Sequence, residues 1–331
     1  MRALRILLLV GGVLGLFALV SHVGAGSIAS ALTRITVWQF VLICLIYGIN
    51  MVVDTLGWRY TLARDRAPFH GLLAARCAGE AVNVVAALAS VGGEAIKAWL
   101  LRRDVPYEES IPSLILAKTA GVLAQALLLG VGILVASTTG IVGPAVVTAM
   151  GYLLLIEVLA IGGFLAVQMT GIIGKAGRIL SRAGVKGIRH AQRLDEALRG
   201  FYRYEWRRFS LSVGLHFVGW SLGAMEAFLI LYSLQLPASL VMATVIEALW
   251  SGVRFATFFV PASLGPLEGA NAAAFAAFGF GASAGLAFTL VRRARQAVWI
   301  GLGVVILMAM RPAGSLAGER ERVAALPSGA D

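Results

Sequence analysis

The sequence predicts an all-α polytopic integral membrane protein of two inverted-topology halves, each with a broken or re-entrant helical hairpin. Three observations predict it. The 331 residues are 59% hydrophobic and 14% charged, with a mean hydropathy of +0.85, whereas soluble domains carry about 25% charged residues. Apolar runs recur at roughly 4–21, 36–57, 72–101, 111–137, 144–169, 210–236, 239–280 and 284–310, and one crossing needs about 20 apolar residues. Two of those runs are interrupted alike, by Ser90-Val91-Gly92-Gly93-Glu94-Ala95 and by Ser263-Leu264-Gly265-Pro266-Leu267-Glu268. Glycine and proline loosen a helix and free backbone groups, which hydrocarbon tolerates only beside protein or a wet cavity.

The first run, Ile6 to Val20, follows Arg2 and Arg5 like a signal peptide. No small-x-small cleavage site leads from it into a polar domain, so a retained first helix is expected. Cytoplasmic loops hold the Lys and Arg excess of a membrane protein, which places the N-terminus inside. Two crossings return the chain to Arg59, Arg64 and Arg66. A single crossing by 72–101 would put Arg102, Arg103 and the basic loop 170–208 outside. If 72–101 enters and turns back, every one of these basic loops is cytoplasmic. The second broken run, 239–280, has room for two short crossings or one deep hairpin, and either returns the chain to its starting side. The last run then delivers Arg311, Arg320 and Arg322 to the cytoplasm, so both termini are expected there. External connections near 138–143, 237–238 and 281–283 contain no Lys or Arg. The first hairpin therefore opens from the cytoplasm and the second from outside.

One membrane domain is expected over 1–310, with a first half at about 1–137, a second at about 144–310, and a disordered cytoplasmic tail over 311–331. A spacing echo links the halves: Glu94 precedes Lys97 by three residues and Lys118 by twenty-four, as Glu268 precedes Asn271 and Arg292. In the loop 170–208, Ile188, Ala191, Leu194, Leu198, Phe201 and Tyr202 recur at helical spacing opposite a face rich in Arg and Lys. That pattern reads as an amphipathic helix on the inner leaflet, either gathering anionic lipids or only setting topology. The excess of 28 Lys and Arg over 17 Asp and Glu is thereby assigned to membrane surface and topology rather than nucleic acid.

An ionisable group near the bilayer centre costs about 2.5–3.5 kcal/mol on insertion scales, so those present pair with one another or act on a substrate. The first half offers Glu80, Glu94, Lys97 and Lys118; the second offers Glu226, Glu247, Arg254, Glu268, Arg292, Arg293 and Arg295. Gly265 reads as a helix N-cap, Pro266 as the first helical residue and Glu268 as a capping third residue. Glu94 after Gly92-Gly93 reads the same way. Half-helices starting at mid-membrane favour anions at their N-termini. Arg292, Arg295 and Gln296 share a helical face, and Arg293 points elsewhere. These arginines either pair with Glu268 or Glu247 or hold a headgroup. Lys118 pairs with Glu80 or Glu94 in the structural alternative, and Arg254 lies two turns from Glu247 on one face. Asn83 reads as an interhelical hydrogen-bonding residue, and Asp54 and Arg59 as interface anchors. Cys44 and Cys77 lie in apolar segments, and His22, His70, His190 and His216 show no metal-ligand spacing. No nucleophile elbow, HExxH or phosphate-cradling GxxxxGK[ST] motif is present, so neither catalysis nor a metal or other cofactor is expected.

GGEAIKAWLLRR at 92–103 with the Lys118-bearing helix, and FFVPASLGPLEGA at 258–270 with an Arg-bearing last helix, resemble the integral-membrane domain of the lysylphosphatidylglycerol synthase/flippase family. Among its subfamilies the chain looks most like the membrane proteins associated with hopanoid biosynthesis. The resemblance spans essentially the whole chain. It implies a bacterial inner-membrane protein that moves lipid, with the headgroup held between the inverted hairpins. Glu94, Lys97, Lys118, Glu268 and Arg292 occupy the corresponding motif positions. In bifunctional relatives a separate soluble domain synthesises the aminoacylated lipid; here the sequence ends about twenty residues after its last helix, so transferase activity is not expected. The sequence reading is thus a lipid flippase for a hopanoid or polar-headed lipid. Gly92, Gly93, Glu94, Lys97, Lys118, Gly265, Pro266, Glu268, Arg292 and Arg295 line its headgroup cavity, and Glu80, Glu247 and Arg254 balance charge or couple protons. The rivals are an accessory or scaffold protein of a lipid-biosynthetic complex, and a membrane-embedded lipid-modifying enzyme.

Overall fold

A computed structural model of the chain describes residues 26, 30, 32–64, 67–85, 91–170 and 188–310. The first apolar run, Arg66, Ser90, the 171–187 part of the basic loop and the tail lie outside the described residues. Within them every regular element is helical. They are α1 (Val37–Arg59), α2 (Phe69–Val85), α3 (Val91–Leu101), α4 (Tyr107–Thr139), α5 (Pro144–Thr170), α6 (Ile188–Tyr204), α7 (Trp206–Ser233), α8 (Leu240–Ala256), α9 (Pro266–Ala277) and α10 (Ala282–Met310). Five of these, α1, α4, α5, α7 and α10, are long and apolar enough to cross a bilayer. The chain is an all-α polytopic membrane protein.

Local sequence sets the helix ends. Thr36 and Gln39 start α1 with a reciprocal capping box, the Thr36 hydroxyl accepting from the Gln39 N–H and the Gln39 side chain accepting from the Thr36 N–H, so two otherwise orphaned donors are satisfied. At the far end of α4, Gly140 adopts φ 61° and its N–H returns to the Ala136 carbonyl, a left-handed stop that glycine enters without a Cβ penalty.

The two broken runs are hairpins. Contacts between α2 and α3 run antiparallel, with Glu80 meeting Lys97 and Asn83 meeting Gly93. The approach is close because both facing positions are glycine. A Cβ on Gly93 would lie 2.1 Å from the Gly79 carbonyl oxygen, and one on Gly79 would lie 2.6 Å from Lys97 side-chain carbons. Gly92 and Gly93 therefore do not cap α3, which begins at Val91; at Gly93 the missing side chain is what lets the helices touch. The second run breaks at 257–265 between α8 and α9, and α9 packs antiparallel on α10 through Asn271–Thr289 and Glu268–Arg293.

The hairpins enter from opposite ends of the bundle. Leu32, Ile35 and Phe40, around the start of α1, pack with Leu234, Leu236, Phe278 and Phe280, which flank the α8–α9 hairpin. Trp58 at the end of α1 packs with Leu62, Ala67, Leu101 and Val105, the base of the α2–α3 hairpin. Along α1, Ile43 of the first cluster and Trp58 of the second stand about 22 Å apart at 1.5 Å per residue. Arg64 meets Glu109 and Arg208 meets the Ala63 carbonyl at the Trp58 end, where the basic loops were expected. The opposite end is not free of positive charge, because Arg34 donates to the Leu234 carbonyl at 3.4 Å. Arg34 belongs to the connection before α1, which the three Lys- and Arg-free connections do not include.

The amphipathic helix α6 keeps its expected face but spends it differently. Leu198 and Phe201 are buried against Leu116 of α4, with Leu194, Tyr202 and Phe209 alongside. Leu194, Leu198, Phe201 and Tyr202 of the apolar stripe thus face the bundle. Tyr202 donates to Gln168, which donates to Thr119, tying α6 to α5 and α4; burial pushes the Tyr202 phenol up. Arg193, Arg199 and Arg203 remain exposed.

Candidate functional site

A cavity of about 180 Å³ lies between the two hairpins. From the first hairpin come Cys77, Glu80 and Asn83; from the second break come Phe258, Val260, Ala262, Ser263 and Leu267. Helix α1 supplies Tyr47, α4 supplies Lys118, α8 supplies Trp250 and Arg254, and α10 supplies Arg292, Arg293, Arg295 and Gln296. The volume is below the roughly 300–1,000 Å³ that encloses a drug-sized ligand. It suits part of a headgroup, with any acyl tails left in the bilayer.

Two ion-paired clusters flank this space. In the first, Lys97 is 3% exposed and holds Glu80 and Glu94, each at 3.0 Å. Lys118 stands 3.8 Å from Glu94 with its side chain half exposed. Glu94 is therefore a bridge between two lysines. The N–H of Gly93 is taken by the Asn83 side chain at 2.8 Å, the interhelical role expected of Asn83.

In the second cluster, three arginines of one α10 turn reach three carboxylates on three helices. Arg292 donates to Glu247 of α8 and to the Gly223 carbonyl of α7, with Glu226 at 3.7 Å. Arg293 donates to Glu268 of α9 at 2.9 Å and to the Ala262 carbonyl. Arg295 donates to Glu226 at 2.6 Å and lies 3.9 Å over the Tyr47 ring, a cation–π contact. Arg292 is likewise stacked on Trp250 and Phe288.

Of the pairings open to these arginines in the sequence, Arg292–Glu247 and Arg293–Glu268 form, whereas Arg295 takes Glu226. Arg293 lines the cavity although it lies off the Arg292–Arg295 face. Glu247 is taken by Arg292, so Arg254 does not share it. Arg292 and Arg295 are committed to carboxylates, which leaves them poor holders of a headgroup anion.

The capping role of Glu268 stands beside its ion pair. Gly265 has φ 87°, a conformation glycine tolerates, and its N–H donates to the Glu268 side chain at 2.8 Å. Pro266 occupies the first turn of α9. In the same break Ala262 and Ser263 hold positive φ values of 52° and 48°, a conformation that persists only where surrounding structure over-determines it. The Arg293 bond to the Ala262 carbonyl supplies part of that constraint.

Two features escaped the sequence reading. Asp54 pairs with Arg76 at 2.7 Å across α1 and α2, so Asp54 is more than an interface anchor. Glu157 on α5 is fully buried, and neither of its carboxylate oxygens has a hydrogen-bond partner among the described residues. Its signal in the sequence is a lone carboxylate inside an otherwise apolar run.

The family described as the lysylphosphatidylglycerol synthase TM region matches residues 3–304. The chain belongs to this family. Membership makes it a membrane protein related to lipid synthesis or transport. No curated protein and no solved structure matches the chain.

Proposed function

We propose that this lysylphosphatidylglycerol synthase TM-region protein translocates a polar-headed lipid between membrane leaflets, without itself catalysing a covalent reaction. The observation that carries this reading is the charged cavity between hairpins that enter from opposite ends of the bundle. Irregular backbone at membrane depth is tolerated where it is covered by protein or lines a wet cavity, and in transporters paired broken helices mark the substrate site. The headgroup occupies the cavity while its tails stay in lipid, and rocking of one hairpin bundle against the other alternates access. The similarity to hopanoid-associated members extends the substrate range to a hopanoid with a polar headgroup. The reading places the protein in a bacterial inner membrane with both termini cytoplasmic, and gives the exposed arginines of α6 the anionic inner leaflet as partner.

A lipid with a photoactivatable headgroup tests the site. After irradiation in vesicles, labelled peptides are expected from residues 77–83, 254–267 and 292–300, with little label on α5. Label spread over the bundle surface and absent from the cavity segments contradicts the assignment.

A further inference from the structure

Resting on the translocation reading, we infer that Glu157 is a proton-binding site outside the cavity, and that gain and loss of its proton set how firmly α5 holds α4 and α8. Glu157 is the middle residue of the 27-residue α5, about 20 Å from either end at 1.5 Å per residue. It is 0% exposed, and neither carboxylate oxygen has a hydrogen-bond partner among the described residues. Glu226, Glu247 and Glu268 differ, since each has an arginine. An ionised carboxylate with no partner is strongly disfavoured at such depth. Glu157 therefore packs here as the uncharged acid, with a proton bound.

The elements packed against α5 are α4, α8 and α6, and their charged groups are committed elsewhere. Met150 lies against Gly132 of α4 and Leu153 against Gly252 of α8, while Gln168 donates to Thr119 of α4. The helix rise between these contacts puts Glu157 level with residues 125–128 of α4 and the last turn of α8. On α4, Lys118 lines the cavity and faces Glu94, and Glu108 and Glu109 stand in the first turn. On α8, Glu247 is taken by Arg292, and Arg254 lines the cavity, about 200° round the helix from Gly252. The α6 charges from Arg193 to Arg203 belong to a helix that meets α5 through Tyr202 at Gln168, about 16 Å along α5 from Glu157. Nearer polar groups are also spent, because Gln125 donates to the Ser251 carbonyl and the Ser251 hydroxyl to Ala248.

The seam that holds α5 is thin. Its buried residues are Met150, Glu157, Ile161 and Gln168, so half of them are polar. Ionising Glu157 strands a charge in this seam, which then has to part to admit water. Helix α8 carries Gly252 toward α5 and Trp250 and Arg254 toward the cavity. Helix α4 likewise carries both the Thr119 contact to α5 and cavity-lining Lys118. Loosening α5 therefore loosens two walls of the cavity and leaves the ion-paired clusters intact. Proton binding closes the seam, and proton release opens it.

Infrared spectra of the purified full-length protein in detergent test for the proton. The carbonyl stretch of an uncharged carboxylic acid is separate from carboxylate bands, and subtracting the Glu157→Gln spectrum at neutral pH isolates it. Wild type is expected to show the acid band, and Glu157→Gln, nearly isosteric with the acid, to fold and lose it. Glu157→Leu should lose the same band and serves if the glutamine variant does not fold. Loss of a carboxylate band in its place overturns the inference. Leaflet exchange of a fluorescent-headgroup phospholipid in vesicles tests the coupling. Wild-type exchange should rise with pH. Glu157→Gln has no proton to release, so its exchange should be slower by about tenfold or more and lack that rise. Equal rates and equal pH profiles in the two proteins overturn the coupling. The two claims fail separately. An acid band with exchange at the protein-free rate retains the proton site and loses the translocation reading. Protein-dependent exchange with no acid band retains translocation and loses the proton site.

Discussion

Replacing Glu247 alone by leucine is expected to destabilise the protein by about 3–5 kcal/mol, the range for removing one partner of a buried pair. The variant leaves the Arg292 guanidinium, 4% exposed, with only Glu226 at 3.7 Å, and Glu226 is already held by Arg295. Stacking on Trp250 and Phe288 favours a cation but does not replace an anion. The double variant Glu247→Leu/Arg292→Leu removes both charges and should regain most of the loss, because apolar residues often substitute for a buried pair without penalty. Reversible unfolding of the detergent-solubilised protein, read as a double-mutant cycle, measures the coupling. Additive losses in the two single variants would show that Glu247 and Arg292 act independently.

Gly93→Val is the second large effect. Its Cβ would stand 2.1 Å from the Gly79 carbonyl oxygen and 2.4 Å from the Asn83 side chain. Backbone on the facing helix cannot yield as a flexible side chain could, so α2 and α3 must separate. That separation strains the Lys97 bonds to Glu80 and breaks the Asn83 cap on Gly93. Overpacking of this kind costs about 1–3 kcal/mol and occasionally more; the expected loss lies at the upper end because an ion pair goes with it. Gly130→Ala in α4 is the control, since nothing lies within 4 Å of its added Cβ, and it should unfold at or slightly above the wild-type temperature. Equal unfolding temperatures for Gly93→Val and Gly130→Ala would contradict the tight hairpin.

The sequence made the hairpins legible through two signals that act over short range. Glycine and proline in 90–95 and 263–268 mark breaks, and the side on which Arg102, Arg103 and the basic loop 170–208 fall decides whether the chain turns back. The Gly265-Pro266-x-Glu268 spacing announces its own cap, and the cap is there. Partner choice was not legible. Arg292 reaches Glu247 across 45 positions and Arg295 reaches Glu226 across 69, so which carboxylate each arginine meets depends on how α7, α8 and α9 surround α10. A helical wheel separates Arg293 from Arg292 and Arg295, but a helix enclosed on several sides has no idle face at that depth. Gly93 was misread for a related reason: a small residue marks either a break or a close approach, and only the presence of Gly79 opposite selects the second. Glu157 was readable as an isolated acid in 144–170 and lacked only a partner to draw attention to it.

The arrangement connects chemistry to function through self-neutralised clusters. Strong internal pairing keeps ionised groups inside the membrane protein, beside the cavity between the two hairpins. It also leaves few charges free to meet a ligand. The half-exposed Lys118 and the strained Ala262–Ser263 segment border that cavity.

Leaflet exchange of a fluorescent-headgroup phospholipid in vesicles holding the purified protein tests the account most directly. Chemical quenching from outside should reach the inner-leaflet lipid faster than in protein-free vesicles. Quenching that halts at the outer leaflet, with the folded protein present at known density, contradicts the account.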